Sequence, residues 1–116
     1  MKNNTKPIEI EIRLVNWGNN SWIAVSFYKL DETDTFQRLY ASYPIMRDSV
    51  IHHVLKKQFF RQRNRVSFVS KYTADLLIKF LRIADMIAYD EMMKLLDLPY
   101  DDFINKVRDY IAIYYL

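Results

Sequence analysis

The stretch KKQFFRQRNR, residues 56–65, sets Lys56, Lys57, Arg61, Arg63 and Arg65 around Phe59 and Phe60 with no acid among them. Side chains of these types can hold a polyanion. Guanidinium forks suit phosphate oxygens, and the intervening Gln62 and Asn64 can hydrogen-bond bases or backbone. If the chain is extended here, Arg61, Arg63 and Arg65 project from one side at a spacing of about 6.6 Å. Before them, His52, His53, Lys56 and Lys57 fall opposite an apolar stripe. His53 lies one helical turn before Lys57, and His52 one turn before Lys56, so they form ridges. Phe60 falls on or beside that polar face, where it could stack a base. Five of the 17 basic side chains lie in these ten residues, so the other 106 residues hold 12 basic against 14 acidic groups. All of the net charge of +3 therefore originates in one place. Without any ligand, the same cations would stabilise a helix C-terminus by about 0.3–1 kcal/mol.

A second group of chemistry-bearing residues is aromatic: Trp17, Trp22, Tyr28 and Tyr40. If Ile23, Val25 and Phe27 face a core, Trp22 and Tyr28 belong on the opposite face of their strand. An open aromatic sheet face can stack bases, and it can equally anchor a partner protein.

Other reactive types do not assemble into motifs. His52 and His53 are the two histidines. As helical neighbours they point about 100° apart and cannot readily share a metal. DETD, residues 31–34, lacks the glycine and the ligand ladder of a calcium loop and reads as a hairpin tip. No cysteine is present, which excludes disulfides and thiolate chemistry. The serines sit in no recognisable nucleophile elbow, and a single glycine cannot build a phosphate-cradling loop. The expectation is a binding protein, not an enzyme, with no cofactor and no metal.

These residues must be positioned by a small core. The chain has 116 residues, 51% of them hydrophobic and 16% aromatic. That is the size of one domain, able to bury about 65% of its unfolded surface. Residues 1–6 read as a disordered terminus and 7–116 as a single α+β domain. Ile8, Ile10, Ile12 and Leu14 alternate with Glu9, Glu11 and Arg13, a half-buried strand. NWGNN, 16–20, turns the chain into a second strand, 21–29; the polar 31–34 leads to a third, 35–42. Pro44 then reads as the start of a helix over about 45–60, with Asp48 near its positive end. RVSFVS, 65–70, reads as a short strand or extended connector. Thr73 can cap a second helix with the stripe Leu77, Phe80, Leu81, Ala84, Ile87 and Ala88; it either continues to Leu96 or is re-capped at Asp90. Pro99, Asp101 and Asp102 open a last helix carrying Phe103, Ile104, Val107, Tyr110, Ile111 and Tyr114.

The expected fold is a small antiparallel three- to four-stranded sheet packed on three helices, in the order βββα(β)αα. Charges interrupt the longest apolar region, 76–98, so no membrane span is expected, and the lack of cysteine fits a cytoplasmic location. Two functions fit. The first is a nucleic-acid-binding accessory protein of a phage, mobile element or low-GC bacterium, with single strands favoured because aromatics accompany the cations. The alternative is a phage-type inhibitor or adaptor whose basic and aromatic side chains cover an acidic surface on another protein. Expected contact residues are His53, Lys56, Lys57, Phe60, Arg61, Arg63, Arg65, Trp22 and Tyr28. Met86, Met92 and Met93, with the apolar C-terminus, would also suit a homodimer.

Overall fold

Strict alternation in the first strand decides which way the sheet faces. The computed structural model describes residues 9–18, 20–28, 37–60 and 65–115. Within them β1 (Glu9–Trp17), β2 (Asn20–Tyr28) and β3 (Gln37–Met46) form an antiparallel meander. β4 (Val66–Ser70) pairs antiparallel with β1, so the order across the sheet is β3-β2-β1-β4. Ile10, Ile12, Leu14 and Ile23 are all buried, and the register sets Leu14 opposite Ile23. One face of the sheet is therefore core, as the period-two pattern requires. The β1–β2 connection has two residues, and its Gly18 has φ +60, which costs glycine nothing.

The helices α1 (Val50–Phe59), α2 (Lys71–Ile83), α3 (Tyr89–Lys94) and α4 (Tyr100–Tyr114) complete an α+β architecture. Val54, Leu55, Leu77 and Phe80 join the sheet residues in one core. Phe103 carries α4 into the same cluster, edge-on to Phe59 and Phe80. The end of α4 is tied by polar bonds to α3 and to the turn before it. Tyr110 donates its hydroxyl to Glu91 at 2.8 Å, and Tyr114 donates to the Met86 carbonyl at 3.1 Å. Burial, then the Glu91 carboxylate, pushes the Tyr110 hydroxyl up to about 12.

Several boundaries differ from the sequence expectation. Pro44 does not open a helix: it lies in β3 opposite Trp22. β3 is an edge strand, where a residue without an N–H is tolerated. α1 instead starts at Val50 and is capped by Ser49, whose hydroxyl accepts the His52 N–H at 3.3 Å. Asp48 precedes that cap with φ 63, so no acid occupies the first turn of α1. α2 is capped by Ser70, not Thr73; the Ser70 hydroxyl accepts the Thr73 N–H at 3.2 Å. Nor does α2 continue to Leu96. It ends at Ile83, a 3-10 turn follows at Ala84–Met86, and α3 starts at Tyr89 with Asp90 and Glu91 in its first turn. Ala88, expected in the buried stripe, is exposed in extended backbone before α3, while Ile87 is buried. The hairpin tip expected at 31–34 lies outside the described residues.

Candidate functional site

α1 divides its side chains sharply. Val54, Leu55 and Phe59 go into the core, while His53, Lys56 and Lys57 are exposed on one ridge. Two cations in the last turn oppose the negative end of the helix dipole. Lys57 reaches Asp97 at 3.3 Å, with both side chains mostly in water, so the pair holds Lys57 only weakly.

Beyond α1 the chain is held at both ends of the basic stretch. The Phe60 N–H bonds the Lys56 carbonyl, and the Ser67 hydroxyl donates to the Phe59 carbonyl. The Arg65 carbonyl accepts the Leu14 N–H at 2.8 Å, which places Arg65, itself exposed, on the flank of β1. Arg61 and Arg63 lie outside the described residues.

Two expectations about this stretch are corrected. Phe60 is not on the polar face. It caps α1 in non-helical backbone, and its ring is 6% exposed within the core, leaving no face for a base. His52 does not share the exposed ridge either, being 3% exposed. Its Nδ1 accepts the Asp48 N–H at 3.2 Å, so the neutral ring carries its proton on Nε2. That Nε2 is buried without a hydrogen-bond partner among the described residues. Burial first, then the nearby Lys56 and His53, holds the His52 ring below its usual value of 6.5.

The His52 environment has a measurable consequence. The unfolded chain takes up a proton at His52 as pH falls through 6.5, while the folded chain resists it to lower pH. The His52 contribution to stability is therefore fully present above 6.5 and is lost as pH falls toward the lower folded value. Urea unfolding at about pH 8 and about pH 5.5 should show the chain less stable in acid, and His52→Asn should reduce that difference. Asparagine can still accept the Asp48 N–H but does not titrate. An unchanged acid sensitivity in His52→Asn would assign it to other groups.

The face of the sheet away from the helices carries the second group. Trp22 is half-buried there, and the register sets it between Val15 of β1 and Pro44 of β3. With Val15, Asn20, Ala24 and Ser42 it lines an open concavity of about 540 Å³. One row along, Arg13 and Ala24 are paired; Arg13 bonds Glu11 at 3.0 Å, and Glu11 is buried. Tyr28 is described in backbone only. It occupies a position of the same parity six residues on, about 20 Å along the strand. Phe68, 56% exposed and paired with Glu11 across β1–β4, lies on the same face as Trp22. Its facing is not legible in sequence, because that of the 65–70 segment depends on its pairing with β1.

Among the described residues no helix is long and apolar enough to cross a membrane, and no three His, Asp or Glu residues are grouped as metal ligands. Comparison with protein-family models, with curated proteins and with solved structures gives no match to the chain.

Proposed function

We propose that the chain binds single-stranded nucleic acid along a track from the exposed end of α1 to the outer face of the sheet, without chemistry of its own. The observation that carries this reading is the register of the sheet. Leu14, which bonds the Arg65 carbonyl, lies beside the Val15–Trp22 row. The backbones of Arg65 and Trp22 are thus about two strand spacings apart, roughly 10 Å. Arg65 falls in the row of core-facing Leu14, whereas Trp22 is on the opposite face, so a bound strand would pass round the end of the sheet between them. Two features that are distant in sequence meet at one end of the sheet. A single strand whose phosphates follow His53, Lys56 and the arginines of 61–65 would bring a base over the Trp22 concavity, where stacking is indifferent to base identity. Lys57 would exchange its exposed contact with Asp97 for a phosphate. The paired Glu11 limits what Arg13 can add. A protein of this kind would serve as an accessory factor of a phage, mobile element or low-GC bacterium.

The test is a salt titration of the full chain with labelled single- and double-stranded DNA and RNA. With about four cations engaged, log K against log salt should have a slope of about −3 on single strands. Replacing Arg61, Arg63 and Arg65 with glutamine should flatten it by about 2 units and weaken all sequences alike. Trp22→Ala should weaken single strands by about 1–3 kcal/mol and leave the slope unchanged. No binding to any of the four at low salt would refute the reading. Binding whose slope survives the triple substitution would move the site elsewhere.

A further inference from the structure

A groove runs from the end of β3 past the start of α1. It begins at the end of β3, where Pro44 and the 71% exposed Met46 form one wall. It passes over Ile51 and Ala84 and ends between Tyr89, 66% exposed, and Met92. Its two sections, of about 330 and 270 Å³, share Ser49, Ile51, Ala84 and Asp85, so they form one continuous channel. Apolar side chains make up most of the lining, with the Tyr43, Ser49, Asp85 and Tyr89 side chains as its polar members. Asp85 is the one acid in it, exposed at the point where the sections meet. It has no ion pair or hydrogen bond among the described residues. Arg82, three residues before it, directs its Nε to the Tyr43 hydroxyl at 2.9 Å instead.

We infer that this groove seats an amphipathic helix of a partner protein whose apolar side chains fill the two sections and whose single Lys or Arg meets Asp85. Charge complementarity names the partner's chemistry: the Arg82 cation is held at the rim by the Tyr43 hydroxyl, so the unpaired Asp85 carboxylate between the apolar sections selects one cation flanked by hydrophobic side chains. The mode follows from the edge of the sheet. An added strand would find no donor at Pro44, and the Met46 carbonyl already accepts from the Ser49 N–H and hydroxyl. Side-chain insertion by a helix is the mode the groove supports. Met46 and Met92 suit such an occupant, because unbranched thioethers adapt to irregular shapes. The chain's own β2–β3 connection attaches at Tyr28 and Gln37, at the opposite end of β3 from this groove. The inference does not rest on nucleic-acid binding, and the two surfaces can be occupied together.

A phage-displayed random peptide library panned on the full chain tests it. Enriched peptides should share one Lys or Arg between bulky apolar residues at helical spacing. A synthetic copy, followed by fluorescence anisotropy, should bind about tenfold more weakly to Asp85→Lys, and changing the peptide's cation to Glu should restore that loss. Met46→Glu should also weaken it, while affinity for single-stranded DNA stays unchanged in both variants. Thermal melts confirm that the variants fold, since both positions are exposed. Enriched peptides without a cation, affinity indifferent to Asp85→Lys, or no enrichment at all would each overturn the inference.

Discussion

Phe103→Ala should destabilise the fold by about 3–5 kcal/mol, the range for removing a fully buried aromatic ring. Phe103 is 0% exposed, and with Tyr100 it carries α4 into the aromatic cluster. Its ring lies 5.7 Å from that of Phe59 and 6.1 Å from that of Phe80, both edge-on, with Tyr100 at 6.3 Å. Alanine there loses the transfer energy of the ring and leaves a cavity that three separate elements would have to move to fill. Since domains of this size are stable by about 5–15 kcal/mol, the variant should unfold at a much lower urea midpoint with an unchanged slope. Phe103→Leu keeps most of the volume and should cost clearly less. A loss below about 1.5 kcal/mol in Phe103→Ala would mean that the cluster does not hold α4 as described.

Gln58→Leu should cost about 2–4 kcal/mol although leucine is the more hydrophobic residue. Gln58 is 5% exposed, and its Nε2 donates to the carbonyls of Leu95 at 3.1 Å and Leu98 at 2.9 Å. Those carbonyls belong to the tight passage between α3 and α4. Leucine fills the space but takes the Gln58 donor away from both acceptors. Because each hydrogen bond removed from a buried group costs about 1–3 kcal/mol, the loss exceeds the gain from added apolar area. The measurement is equilibrium unfolding, with hydrogen exchange around residues 95–100 as a local readout. A neutral or stabilising Gln58→Leu would show that the two carbonyls find water instead.

The same residue shows where sequence reasoning stopped. In KKQFF a glutamine beside two lysines reads as solvent-facing, and its burial becomes visible only when carbonyls from residues 95 and 98 are brought to it. His52 is the parallel case, a polar side chain drawn inward by an N–H at Asp48. Phe60 was misplaced for a different reason. The helical facing of its ring was extrapolated past the end of α1, and one residue of non-helical backbone redirects a side chain completely. Patterns that depend on neighbours in sequence read through correctly. The alternation from Ile10 to Leu14, the turn at Gly18 and the acids after Pro99 all did. Pro44 is compatible with a helix start and with an edge strand, and which strand lies at the edge is a property of the whole sheet. As for the site, the exposure of His53, Lys56, Lys57 and Arg65 was legible. That Arg65 lies at the same end of the sheet as Trp22 was not, because it depends on β4 pairing with β1.

That pairing also sets an order of assembly. β1 is an inner strand, yet one of its two neighbours, β4, arrives only after β2, β3 and α1 have been made; Ile12 waits for Ser67. During synthesis the hairpin of β1 and β2 can close at once through its two-residue turn. Its apolar face and one free edge then stay open until roughly half the chain has emerged. Pairing strands so distant in sequence carries a high loop-closure cost, so docking of β4 is expected to fall late and to limit the folding rate. Until then Ile10, Ile12, Leu14 and Ile23 form an uncovered strip on an incomplete sheet, the kind of surface from which intermediates aggregate. The nascent chain is most in need of a chaperone while α1 and β4 are still emerging, and a substitution in Val66–Ser70 should slow folding more than its effect on final stability suggests.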